Sequence, residues 1–338
     1  MRRQSTLRSR FVRGLGAVTA TASLAAGLTA CGGEAEADSA ATGRVTIGAV
    51  SNGAARQAEL SVPVVQSLRA QLPKDVRERG ELVIGVGALP AGFPPLAYVG
   101  TDQKTLTGAE PDLGRLVAAT LGLKPVFKNS TWENLFVGID SGKVDAAFSN
   151  VTVTEDRKKK YEFASYRQDN LAFEVLKDST WNFGGDYHAL AGKTVSVSKG
   201  TNQEKILLEW QAKLRSEGKD VEVKYFPDPN SVYLALSGRK IDLSFGPNPS
   251  IAYHVTQTAS SGAPTRTAGS FSGAGEGLQG LIAATAKKDS GLAKPLAGAV
   301  DHLIANGQYA RVLAAWNLSN EAVTTSEVNP PGLPPAAS

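Results

Sequence analysis

Two separated segments of this chain repeat one layout, in which a helix gives way to a Gly-basic turn, an aspartate and a short apolar strand. They are Ser141-Gly142-Lys143-Val144-Asp145-Ala146-Ala147-Phe148-Ser149-Asn150 and Ser237-Gly238-Arg239-Lys240-Ile241-Asp242-Leu243-Ser244-Phe245-Gly246. Their surroundings match as well. Ahead of the first, Leu82–Val86 reads as a buried strand, and Pro111 opens a helix with Leu113, Leu116, Val117 and Leu121 on one face before Gly122 stops it. Trp132, Leu135, Phe136 and Ile139 repeat that spacing up to Gly142, Val144–Phe148 reads as the next strand, and Thr154 as the N-cap of a further helix. Ahead of the second come strand Thr194–Ser198, helix Gln203–Leu214 and strand Val221–Tyr225, with Ser231–Leu236 as the helix that leads into it. Alternating strands and helices imply parallel sheets with helices on both faces, and two such units imply two lobes with a cleft between them.

The ends of the chain are of another kind. Arg2, Arg3, Arg8, Arg10 and Arg13 precede an apolar run, Gly14–Ala30, that ends at Cys31, the only cysteine. This segment resembles a bacterial lipoprotein signal peptide, with residues 1–30 removed and Cys31 carrying lipid. A membrane-spanning anchor is the competing reading, but the run is short and rich in Gly, Ala and Thr. Residues 31–43 read as a flexible tether, 44–80 as an N-terminal extension without a readable role, and 319–338 as an extended C-terminal tail. Without its five arginines the chain holds 31 basic against 32 acidic groups, which leaves no surplus for nucleic acid. With Cys31 lipidated no disulfide can form, so stability must come from an apolar core. His188, His254 and His302 share no ligand-like spacing, and neither a metal nor any other cofactor is expected.

In open α/β sheets ligands sit beyond the carboxyl ends of strands, where helix N-termini offer unpaired N–H groups. Here that place is Ser149–Arg157, SNVTVTEDR, with hydroxyls, an amide and a guanidinium suited to a carboxylate. Arg157 is the candidate clamp, set against the plainer reading of a solvated arginine beside Lys158, Lys159 and Lys160. Gly200-Thr201-Asn202 occupies the corresponding place in the other half.

From about Leu82 to Leu318 the chain resembles the extracellular solute-binding proteins of the polar amino-acid ABC importers, family 3, with the periplasmic-binding-protein type II fold. The resemblance rests on Phe93-Pro94-Pro95-Leu96, Gly108-Ala109-Glu110-Pro111-Asp112-Leu113, Trp132, the Gly142–Asp145 turn, Thr152–Arg157, Ser237–Asp242, and Gly307-Gln308-Tyr309 with Trp316. It implies an α/β fold of two lobes, 82–168 plus 275–318 and 175–268, joined by two hinge strands at Asn170–Leu176 and Gly277–Ala283. It also implies that Phe93 and Trp132 sandwich the ligand, unless both are core residues. Ser149, Asn150, Thr152 and Arg157 would hold its carboxylate, and Thr201 and Asn202 would reach it from the second lobe.

One position departs from the pattern. The strand after the second Gly-Arg turn commonly leads to an aspartate that neutralises the ligand's ammonium, and this chain has Pro247 there, followed by Asn248. Asn248 can accept a hydrogen bond but brings no charge, so Glu110 or another carboxylate compensates, or the ligand is not an ordinary α-amino acid. The expectation is a monomeric, extracytoplasmic, lipid-anchored receptor that binds a small carboxylate-bearing solute and delivers it to the membrane subunits of an ABC permease. The alternative is an exported enzyme on the same scaffold, such as a cyclic-carboxylate dehydratase.

Overall fold

The computed structural model describes residues 42–335. The signal segment, Cys31 and the tether up to residue 41 lie outside the described residues. Strand β1 (Thr42–Ile47) already begins at Thr42, so residues 42 and 43 belong to the fold and not to a tether. It pairs antiparallel with β2 (Ala58–Pro63), from Thr42↔Pro63 to Ile47↔Ala58. Short helices α1 (Gln66–Arg69) and α2 (Lys74–Arg79) follow. Ile47, Leu60 and Val62 are buried in one cluster with Leu113, Leu116 and Val117 of α3 (Ala109–Thr120). The extension is therefore an outer layer of the first lobe, pinned where the Asp112 carboxylate accepts from the N–H of Gly48 at 2.6 Å and the indole of Trp316 at 2.9 Å.

The first lobe is built from β3 (Glu81–Val86), the ribbon β4 (Tyr98–Val99) and β5 (Leu106–Thr107), α3, β6 (Lys124–Asn129), α4 (Trp132–Asp140) and β7 (Ala146–Ala147). Helix α3 starts two residues before Pro111 because Gly108, at φ 128°, brings the chain in where a Cβ would stand 2.1 Å from the Leu96 carbonyl oxygen. After β8 (Tyr161–Leu176) the second lobe follows: β9 (Thr194–Ser196), α5 (Asn202–Ser216), β10 (Glu222–Lys224), α6 (Pro229–Ser237), β11 (Leu243–Pro247), α7 (Asn248–Thr258) and β12 (Thr265–Ser272). The chain then returns through β13 (Gly280–Lys287), α8 (Ala293–Ala305) and α9 (Gln308–Ala315).

The repeated turns do one job twice. Asp145 accepts from the N–H of Val83 at 2.7 Å and donates its own to the Val83 carbonyl at 2.9 Å. Asp242 does the same with Thr194, at 2.8 and 2.9 Å. Each aspartate thus fixes the start of its lobe's first strand to the strand beyond the turn.

Strands run in the order β10-β9-β11-β8-β13-β7-β3-β6, with β12 also on β8. The 16-residue β8 belongs to both lobes, and its partner changes between Asp169, opposite Gly280, and Asn170, opposite Ser272. The crossings therefore lie earlier than the sequence implies. Leu171–Leu176 pair inside the second lobe, Gly280–Ala283 pair inside the first, and the return passes through 273–279.

The apolar core is divided likewise. One cluster surrounds α3, α8 and α9, and another lies under α4. The second lobe is filled by aromatic rings, with Phe173 stacked on Phe245 at 4.3 Å and Trp210 beside Phe183 at 5.2 Å. At about 1.5–3 kcal/mol for each fully buried large apolar side chain, these clusters can hold the fold without a cross-link. Among the described residues no helix is long and apolar enough to cross a membrane.

The C-terminal segment begins with a 3₁₀ turn, Ser319–Glu321, and is built into the fold. Val328 bridges Ala164 on the free edge of β8, and the Ser326 hydroxyl donates to the Ser165 carbonyl at 2.6 Å. Leu333 exchanges backbone hydrogen bonds with Val153 and Glu155 of the first lobe, while its side chain, 3% exposed, sits in the core of the second.

Candidate functional site

A cleft of about 370 Å³ lies where strand ends of both lobes face each other. Phe93, Trp132, Ser149 and Asn150 line it from the first lobe, and Thr201 and Asn202 from the second. Thr152, Arg157 and Asn248 do not line it. A larger space of about 600 Å³ lies beside β1 and α3, but of its charged groups Asp112 and Arg115 are already paired at 2.8 Å and Arg44 lies 3.5 Å from Glu59, and its wall is otherwise mostly apolar.

Each polar residue singled out from the sequence is held by a protein partner. The Ser149 hydroxyl accepts from the N–H of Gly87 at 2.9 Å. Asn150 takes a left-handed backbone at φ 53°, which asparagine tolerates; its N–H donates to Glu110 at 3.0 Å and its side-chain oxygen accepts from Arg167. Thr201 caps α5, accepting from the N–H of Glu204 at 3.2 Å. Asn248, at the start of α7, points its amide at Glu321, 3.5 Å away. Thr154 accepts from the N–H of Arg157 at 3.0 Å, but the helix expected after it is one 3₁₀ turn, Arg157–Lys159.

The two lobes meet in two polar joints beside the cleft. In the first, the Asp169 carboxylate, at the crossing in β8, accepts from the Thr152 hydroxyl at 2.7 Å and from the Asn202 amide at 3.0 Å. Gly273 leaves room for it, since a Cβ there would fall 1.7 Å from the carboxylate oxygen. Burial pushes the Asp169 carboxyl up to about 6, against the lowering effects of Thr152 and Arg167. In the second joint, Arg157 donates to the Thr152 carbonyl at 2.9 Å and to the Gly200 carbonyl at 3.3 Å, and the Trp132 indole donates to the same Gly200 oxygen at 3.2 Å. The Arg157 guanidinium lies 5.3 Å from the ring of Trp132 and 5.4 Å from that of Phe136, and among the described residues it has no carboxylate within salt-bridge distance. Partial enclosure pulls it down to about 10, with Asp169 acting in the other direction.

Nothing in the residue pattern singles out Arg167. Its side chain is 2% exposed and bound by Glu110 and by Glu321, 154 residues away in sequence. Glu110, offered from the sequence as a compensating acid, is consumed here: it is 1% exposed and also accepts from the Tyr166 hydroxyl and the Asn150 N–H. Glu174 on β8 was also missed, although it lines the cleft. The available signal was an acid inside a strand whose residues are otherwise nearly all buried. Among the described residues no group of three or more His, Cys, Asp or Glu is placed to hold a metal ion.

Residues 84–319 match the model of the bacterial extracellular solute-binding proteins, family 3. Among curated proteins, the L-cystine-binding protein TcyJ of Escherichia coli K12 is 34% identical over 170 residues, covering 49% of this chain and 59% of that protein. The arginine-binding protein ArgT of Corynebacterium glutamicum is 24% identical over 268 residues, covering 78% of this chain and 83% of that one. Among solved structures, the amino acid ABC transporter substrate-binding protein AbpA of Streptococcus pneumoniae, bound to L-arginine, superposes with a TM-score of 0.61 at 21% identity, covering 73% of this chain and 99% of that one. The match to TcyJ leaves two fifths of that relative unaligned, and the match to AbpA establishes the type II binding-protein fold.

Proposed function

Because this chain belongs to the bacterial extracellular solute-binding proteins of family 3, we propose that it captures an amino acid or a related carboxylate-bearing solute between its two lobes and delivers it to an ABC import permease. It is a binding protein and not an enzyme, like the relatives it matches, two of which are named for cystine and arginine. The observation that carries the reading is the convergence of Ser149-Asn150, at the exit of β7 in one lobe, and Thr201-Asn202, at the start of α5 in the other, on a single cleft of a volume typical for small-molecule sites. Phe93 and Trp132 serve as its walls.

Arg157 and Thr152 stand one layer behind that surface. Their role in this reading is to hold the solute's carboxylate, with Arg157 exchanging the neutral Gly200 carbonyl for an anion. Closure follows from rotation about the crossing at Asp169 and Asn170, between a lobe of residues 82–168 plus 275–318 and a lobe of residues 175–268. The closed form is the one that docks on the permease. Residues 1–30 act as the export signal, lipid on Cys31 holds a monomer at the outer face of the membrane, and the chain needs no cofactor.

Thermal unfolding of the mature chain against a panel of amino acids and related amines tests this directly. At least one solute should raise the melting temperature in a concentration-dependent way, since a ligand that binds only the folded state stabilises it. A flat response across the whole panel would refute the reading.

A further inference from the structure

We propose that Glu174, with Ser196 beside it, is the seat of a positively charged nitrogen of the ligand, taking over the charge that Pro247 cannot supply. The proposal rests on the reading of the cleft as a solute site. Three neighbouring strands bring the groups together. Ser196 of β9 stands opposite Ser244 of β11, and Ser244 stands opposite Glu174 of β8, so the three form one polar row across the second lobe's sheet. All three line the cleft.

Glu174 is 0% exposed and Ser196 1%. One carboxylate oxygen of Glu174 lies against Nδ1 of His254, whose ring stacks on Tyr233 at 3.4 Å. Among the described residues the other oxygen, Oε2, and the Ser196 hydroxyl are buried without a hydrogen-bond partner. A buried carboxylate oxygen without a donor is costly, and so is a buried unpaired hydroxyl. Two such groups on the strands that flank β11, in one row across the sheet and both facing one cleft, mark a place for a donor from outside the chain. The donor should be cationic. The charged residues lining the cleft are Glu133, Glu174 and Asp228 against Lys199 alone, and Glu174 is the only one of them shut away from water. An ammonium or guanidinium can give one N–H to Glu174 Oε2 and another to the Ser196 hydroxyl, which accepts as readily as it donates. Burial, then the charge of Glu174, holds the neighbouring Tyr233 phenol protonated far above its usual range, so Tyr233 adds no second anion.

Isothermal titration of the mature chain with arginine, citrulline and Nα-acetylarginine tests the seat and identifies which nitrogen it takes. If the side-chain cation sits there, the parent binds arginine and Nα-acetylarginine better than citrulline. If the α-ammonium sits there, Nα-acetylarginine is the weak probe. In either case Glu174→Gln should weaken arginine by about tenfold or more and erase the preference between probes, while the melting temperature without solute stays level or rises. Ser196→Ala should weaken arginine less, and it carries the test if Glu174→Gln does not fold. Arginine affinity unchanged in Glu174→Gln, or in Ser196→Ala where that variant must stand alone, overturns the seat while leaving the solute-binding reading intact. A parent that binds none of the three probes overturns the seat as well, and only silence across the whole solute panel removes the broader reading with it.

Discussion

The two lobes repeat one scaffold but differ in how completely they satisfy the polar groups in and beside the cleft. Asp145 and Asp242 tie their strands with the same pair of backbone hydrogen bonds. Beyond those turns the likeness ends. In the first lobe Ser149, Asn150, Thr152 and Glu110 are all bonded within the protein before any solute arrives. In the second, Thr201 and Asn202 are bonded too, but Glu174 Oε2 and the Ser196 hydroxyl have no partner among the described residues. Groups already fixed by neighbours lose little freedom on binding and give a constant grip on a constant part of the ligand. Unsatisfied groups instead penalise any ligand that fails to complete them, and so discriminate. Under the proposed function, the first lobe then supplies general recognition and the second supplies selection.

Four substitutions can break or sharpen this contrast. The largest effect is expected at Arg167, which Glu110 and Glu321 enclose. Arg167→Ala leaves two buried acids uncompensated and should lower folding stability by about 3–5 kcal/mol in urea unfolding. A loss under about 1 kcal/mol would mean that the first lobe is not held by this triad.

Arg157→Ala should do the reverse, weakening solute binding by about 2–5 kcal/mol while the fold, which loses only bonds to neutral carbonyls, changes far less. An unaltered dissociation constant would remove Arg157 from the site.

Asp169 comes next. Its folded pKa, about 6, lies above the ordinary 3.8, so the folded state holds the extra proton between those values. Stability is then greatest below about pH 4 and declines as pH rises through 6, by on the order of 2–3 kcal/mol. Asp169→Asn should flatten that slope: relative to the variant, the parent gains as pH falls from about 7 to about 4. Parallel stability curves would show that Asp169 titrates normally.

The smallest effect is expected at Pro247, the residue preceding α7. Its φ of −57° and ψ of 127° can be adopted by aspartate, which caps a helix where proline cannot, for about 0.5–1 kcal/mol of added stability. Pro247→Asp also adds an acid to the second-lobe wall and should raise affinity for cationic amino acids several-fold, measured by calorimetry. No gain would show that Glu174 already meets that need.

The scaffold was legible because its signals are local. Periodic apolar residues place α3 and α4, and the repeated Gly-basic turn with the aspartate that follows it announces the two lobes. Boundaries slipped where pairing decides: the strand read over Val144–Phe148 is only Ala146–Ala147, the stretch that finds partners in β3 and β13. The lining of the cleft was legible at strand exits and a helix start, where Ser149 and Asn150 follow β7 and Thr201 and Asn202 open α5. Arg167 with Glu321, and the C-terminal segment on β8, were not legible. The first pair spans 154 residues, and the second contact is made largely through backbone groups, which leave no mark on side-chain pattern.

Proteins of this architecture move as two bodies on a pair of crossing strands, and here a third connection joins the same bodies. The peptide between Glu327 and Pro334 starts on the edge of β8 and finishes with Leu333 sunk among second-lobe aromatics and the Pro334 carbonyl held by Lys205 at 2.6 Å. Any swing wide enough to admit a large solute must either stretch that ribbon or peel off its last residues. In the proposed two-lobed motion the gape of the jaws is thus set by residues 327–334, and cutting the chain after Asn329 would widen it without touching a single residue of the cleft.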